Sequence, residues 1–189
     1  MQKLARWGFA LALLPLAACN PNPSTPMQST VPMPQTLPTV SAQDQSFVNL
    51  AATSDMFEIQ SSKLALQRSR NPATRAFAQQ MITDHTASSQ RLAALAQAKG
   101  IVLPTGLDPE QQRALAAIDN TRRIFDQEYF RQQGMAHATA VQAYQTEIAN
   151  GYDADLRGFA QQTLPVIQDH QARAEQMRET NMRGRPARR

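Results

Sequence analysis

The chain of 189 residues contains three histidines, and each falls in a different helix-patterned segment: His85, His137 and His170. Imidazole is a principal protein ligand for zinc, copper and iron, so their placement decides what chemistry the chain can support. Counting in steps of three and four, His85 shares a helical face with Phe77, Met81 and Leu92. His137 lies with Phe130, Val141, Tyr144 and Ile148, and His170 with Leu156, Phe159, Thr163, Val166, Ala174 and Met177. These are apolar faces, so all three rings are expected to point inward. A fourth segment has no histidine but sets Glu58 in phase with Phe47, Ala51 and Ala65. Three imidazoles and one carboxylate suffice for one transition-metal ion, zinc, iron or copper, if they converge within about 2 Å of it. The same groups could instead satisfy one another as a buried hydrogen-bond network that sets helix register without metal. Asp55, one turn before Glu58, and Asp126, three turns before His137, are the carboxylates expected to orient such imidazoles from behind.

The elements that must position these residues are marked by paired start and stop signals. Ser41, with Asp44 at the capping-box position, opens a helix from about Ala42 to Ser69. Asn71-Pro72 opens a second helix, which Gly100 ends. Asp108-Pro109-Glu110-Gln111 repeats that opening for a short helix to about Ile118. A third long helix is expected from about Thr121 to Asn150, and Asp153 caps a fourth that continues to about Asn181. No segment alternates as a half-buried strand would, so the fold class is all-α.

Counting along these helices tests whether the four inward groups share one level. Glu58 lies 13 residues before Asn71 and His85 lies 14 after it, so antiparallel pairing sets them level. A simple hairpin at Gly100 to Asp108 would leave His137 roughly 20 Å out of register at 1.5 Å per residue. A crossover made of the extended residues 101–108 and the short helix spans roughly 40 Å, enough to return the chain to the end where the second helix begins. His137 and His170 then fall within a turn of His85. The arrangement expected is a ferritin-like four-helix bundle, with a long crossover containing a short helix between the second and third helices.

The two ends of the chain read differently. Lys3 and Arg6, an apolar run from Trp7 to Leu16, and Leu16-Ala17-Ala18-Cys19 read as a secretory signal peptide over residues 1–18. The four residues ending at Cys19, the single cysteine, resemble the bacterial lipobox, which implies a lipidated Cys19 as membrane anchor. Asn20 in place of aspartate implies sorting to the outer membrane, with the domain facing the periplasm. Residues 19–42 carry six of the twelve prolines and read as a tether reaching about 70 Å in extended form. The bundle is assigned to residues 43–182, and residues 183–189 to a basic, disordered tail. Setting aside Lys3, Arg6 and the four tail arginines leaves 13 basic against 15 acidic side chains, a net of −2. That balance excludes a nucleic-acid-binding face, which needs clustered basic residues on the fold itself.

Asp44-Gln45-Ser46-Phe47, Glu58, Phe77-Ala78-Gln79-Gln80-Met81 with Asp84-His85, Phe125-Asp126-Gln127-Glu128-Tyr129, His137 and Leu164-Pro165 with His170 together resemble the ferritin-like domain-of-unknown-function family 4142. The resemblance covers about residues 44 to 178. It implies an exported protein of the bacterial envelope or outer membrane and carries no established reaction. A weaker echo, Arg75-Ala76-Phe77-Ala78-Gln79-Gln80 against Arg157-Gly158-Phe159-Ala160-Gln161-Gln162, suggests a duplicated hairpin, and Pro165 is expected to kink the last helix.

A di-iron centre of the usual ferritin kind takes Glu-x-x-His from two helices. Here the residues three before the histidines are Ile82, Gly134 and Ile167, so that site is disfavoured. No phosphate loop, no His-Glu-x-x-His and no nucleophile-histidine-acid set is present. Two readings of function follow. The tether favours a lipid-anchored, non-enzymatic envelope module that contacts a protein, a cell-wall component or a stress-related ligand. The alternative is a metal-binding or redox bundle using Glu58 and the three histidines. The sequence decides neither the oligomeric state nor the partner.

Overall fold

The computed structural model describes residues 40–121 and 124–183. The signal peptide, Cys19, most of the tether, Arg122-Arg123 and the tail beyond Arg183 lie outside the described residues.

Five helices form where the punctuation predicts them: α1 (Ala42–Arg68), α2 (Pro72–Lys99), α3 (Pro109–Asn120), α4 (Phe125–Asn150) and α5 (Ala154–Arg183). Their ends are satisfied by side chains, which removes the cost of unpaired terminal amides. The Ser41 hydroxyl accepts from the Asp44 amide, and Asn71 caps α2 with Pro72 behind it. Asp108 and Gln111 close a reciprocal capping box on α3. Asp153 accepts from the amides of Asp155 and Leu156 at the start of α5. Gly100 ends α2 at φ 66°, a left-handed conformation that a β-carbon would penalise.

One boundary differs from expectation. Helix α4 starts at Phe125, not Thr121, because α3 runs on through Asn120 and the Thr121 amide closes α3 on the Ile118 carbonyl. Ile124 then precedes α4 with no side-chain cap.

The helices pack in the ring α1, α2, α5, α4, and α3 lies across α1 and α4. Side-chain pairs fix the directions. Gln43 meets Glu147 and Ser62 meets Tyr129, so α1 and α4 are antiparallel. Asp84 meets His170 and Lys99 meets Asp153, so α2 and α5 are antiparallel. Thr53 meets Gln111 and Arg68 meets Asp119, so α3 runs along α1 in the same direction. This is the crossover bundle that the level-counting required.

The core is two apolar clusters with a polar layer between them. One gathers Phe47, Val48, Leu92, Tyr144, Leu156 and Phe159, and the other Phe57, Phe77, Met81, Tyr129 and Phe130. Each fully buried large side chain contributes roughly 1.5–3 kcal/mol. On every long helix the polar positions fall between the two clusters: Asp55 and Glu58 on α1, His85 on α2, Gln133 and His137 on α4, His170 on α5. Helix α5 continues through Pro165 without a break. Val166, expected on the inward face, is 41 % exposed and Ile167 is buried in its place. At 100° per residue the two positions lie equally far from the line joining Thr163 and His170, so helical spacing alone does not choose between them.

Candidate metal centre

His85, His137 and His170 meet in the polar layer, each at most 5 % exposed. Their ring centroids are 5.4–5.6 Å apart, and one nitrogen from each ring lies within 4.8 Å of the other two. A tetrahedral edge with 2.0–2.1 Å bonds is about 3.3 Å, so a closure of roughly an ångström would place all three on one ion.

Each ring is held from behind by an acceptor on one nitrogen. His85 Nδ1 lies 2.7 Å from Asp55 Oδ1, His137 Nδ1 2.9 Å from the Gln133 carbonyl, and His170 Nε2 2.9 Å from Asp84 Oδ2. A carboxylate or carbonyl accepts only, so the bonded nitrogen carries the proton and the other holds a free lone pair. Those other nitrogens, His85 Nε2, His137 Nε2 and His170 Nδ1, are buried and have no hydrogen-bond partner. An unpaired buried acceptor is costly, and three on neighbouring rings are the donor set that a metal ion would satisfy.

Charge reinforces this arrangement at His137 and His170 and opposes it at His85. Burial pulls the His137 imidazole well below its ordinary value, and repulsion from His85 adds to the fall. His170 is lowered by burial and by His85, against the pull of Asp84. Burial also opposes charge on His85, yet the hydrogen bond and charge of Asp55, with Glu58 and Asp84, hold it above its ordinary value.

Of the four inward groups expected from the sequence, the structure gathers the three histidines and sets Glu58 behind them. Glu58 Oε1 is 3.6 Å from His137 Nδ1, the nitrogen turned toward the Gln133 carbonyl, and its carboxyl is pushed up to about 7 by burial. Asp55 hydrogen-bonds His85, whereas Asp126 makes none of the cluster's contacts among the described residues. It stands about 16 Å up α4 from His137 at 1.5 Å per residue. The carboxylate missed from the sequence is Asp84. It sits beside His85 in the chain but serves His170 across the α2–α5 interface, and only the spacing Asp84 to His170 in antiparallel register could have revealed it.

The family model described as "Domain of unknown function (DUF4142)" matches residues 29–177. The chain belongs to the DUF4142 family. No curated protein matches this DUF4142 sequence. A solved structure described as "CopM in the Cu(II)-bound form" has the same fold, with a TM-score of 0.63 at 19 % identity, covering 72 % of the DUF4142 chain and 96 % of CopM. At that identity the likeness speaks for the helical-bundle fold alone.

Proposed function

We propose that this DUF4142 protein is an exported, non-enzymatic envelope protein that binds one divalent transition-metal ion through His85, His137 and His170. The observation that carries the reading is the set of three buried ring nitrogens without partners, each on a ring already fixed by an acceptor. Neutral imidazoles suit Cu(II) and Zn(II), and the order of divalent affinities favours copper. The Cu(II)-bound state of a protein with this fold is consistent with that choice. A bound ion would supply an electrophilic centre with a coordination position left over. Asp55, Asp84 and the Gln133 carbonyl would hold the rings in orientation, and Glu58 would add negative charge behind His137.

Export is supported by the signal-like residues 1–18, and anchoring at the outer membrane by Leu16-Ala17-Ala18-Cys19. No helix among the described residues is long and apolar enough to cross a membrane, so the anchor we propose is the lipid on Cys19. A partner in the envelope would then be met by the domain at the end of the tether.

The test is elemental analysis of the full chain, exported to a bacterial periplasm and purified without chelator. One ion per chain is expected, with none in a folded His137→Ala variant. A folded wild-type protein that carries no ion and takes up neither Cu(II) nor Zn(II) would overturn the reading and leave the histidines as a register-setting network.

A further inference from the structure

A cleft of about 120 Å³ opens between α2 and α5 and reaches the histidine layer from the side. Antiparallel register, fixed by the hydrogen bond between Asp84 and His170, sets Ala87 level with Ile167 and Arg91 level with Thr163 along its walls. His85 and His170 line it and His137 does not, so two rings face the cleft and the third stands behind them. A wider hollow of about 510 Å³ farther along the same interface shares Arg91 with it. On the opposite face of the bundle a cavity of about 140 Å³ lies under α3, between α1 and α4, and no histidine lines it.

Charge in the α2–α5 cleft is graded along its length. Asp84 stands at the histidine end, with its side chain 27 % exposed. Arg91 stands about 9 Å farther along α2 from His85 at 1.5 Å per residue, held by its hydrogen bond to Thr163 and over the Phe159 ring. The Ser88 hydroxyl between them is taken by Tyr144. A cation beside the rings therefore meets a carboxylate, with the guanidinium tied down at the far end.

The three rings are not held alike. Asp55, behind His85, is buried and also accepts from Ser89, and the acceptor behind His137 is backbone. Of the three, His170 alone depends on a carboxylate that reaches solvent, and Gln80 shares the same oxygen.

We propose that a divalent ion reaches the metal centre through this cleft from the Asp84 end, with His170 as the ring that turns aside and Asp84 as the positioning carboxylate that draws the ion in and brings the ring back. The proposal rests on the metal reading above. A pivot about the hydrogen bond to Asp84 keeps His170 Nε2 paired while Nδ1 turns toward the cleft, so the movement strands no further buried nitrogen. Six waters at roughly 30 Å³ each exceed the space available. The species admitted is therefore a small, partly dehydrated cation, and an ion wrapped in a chelator is excluded.

The full chain is mixed with Cu(II) in stopped flow; imidazole-to-copper absorption reports uptake, and its loss into excess EDTA reports release. A side chain that narrows the route slows entry and exit by the same factor, because both cross the same barrier, whereas a change in the site itself moves the Kd. Ala87→Trp and Val166→Trp, both at exposed positions on the walls, are expected to slow both rates about tenfold with a Kd within about twofold of wild type. Met135→Trp, exposed on the cavity under α3, should leave both rates unchanged. Asp84→Asn should slow uptake about tenfold at low salt and lose the salt dependence of the wild type. Release should be independent of EDTA concentration. Copper bound at rates that ignore both wall tryptophans, that respond equally to Met135→Trp or that rise with EDTA would overturn the cleft route and leave the metal reading standing. Wild-type uptake indifferent to salt would overturn the role of Asp84. A folded chain that binds no copper would overturn the route and the metal reading together.

Discussion

The two interfaces that join the halves of the bundle lie opposite each other and are built on different terms. Between α1 and α4 the side chains interlock under full burial: Ser62 bonds Tyr129 at 2.8 Å and Gln133 donates to Ser61 at 3.0 Å. Glu147 accepts from Gln43 where the interface ends. Between α2 and α5 the contacts are made by long charged side chains reaching across, Arg91 to Thr163 and Lys99 to Asp153 and Asp155, with two clefts left between them. The histidine layer sits where the two meet. A packed interface gives the rings a rigid backing, and a loose one gives them contact with the outside. A site that must exchange an ion or ligand needs both.

Removing a large buried ring from the packed interface should have the largest effect. Tyr129→Ala is expected to cost about 3–5 kcal/mol in urea unfolding, because Tyr129 is fully buried among Phe77, Phe125 and Phe130. Arg91→Ala on the open side should cost less than about 1 kcal/mol, the worth of an exposed cation over a ring. Equal costs would break the contrast.

A subtler difference should appear with pH. Glu147 is buried at the α1–α4 interface, and its carboxyl is pushed from 4.5 up to about 7 by burial, with the Gln43 hydrogen bond pulling against it and Asp44 adding to the rise. Between about 4.5 and about 7 the folded protein keeps a proton that the unfolded chain has released. Stability contributed by this group therefore falls as pH rises through that window. Glu147→Gln should flatten the slope, read from urea midpoints at pH 5 and pH 8. An unchanged slope would mean that Glu147 is ionised in the folded protein.

The smallest expected effect is a gain. Gly158 lies in α5 on the wall of the wider hollow, and a β-carbon there would meet nothing within 4 Å. Gly158→Ala should stabilise the protein by about 0.5–1 kcal/mol in thermal melts through helix propensity alone. A loss would show that the open interface closes in solution.

Much of this architecture was legible in the residues, for a physical reason. Helix ends must satisfy their own amides locally, so Ser41, Asn71-Pro72, Gly100, Asp108 and Asp153 announce themselves within four residues of the groups they serve. Register was legible too, because rise per residue is fixed and one polar group per helix could be counted to a common level. What depends on a neighbouring helix was not. Asp84 turns away from its own helix's histidine to reach His170, and Glu58, in phase with the core, stands behind His137 rather than beside its free nitrogen. The start of α4 escaped as well, since Thr121 caps the helix before it instead of the helix after.

The division of the histidines between hairpins has a kinetic consequence. His85 belongs to the α1–α2 hairpin, and His137 and His170 to the α4–α5 hairpin. Each hairpin brings its own helices together over short chain separations, but the three donors meet only when the hairpins dock. An ion held by all three would then staple two separately forming halves at a late stage. Such a bond should slow unfolding and leave the folding rate nearly unchanged, which stopped-flow denaturation with and without copper would read directly. If the protein is exported as proposed above, beyond the reach of cytoplasmic chaperones, lifetime in the folded state would matter more than equilibrium stability.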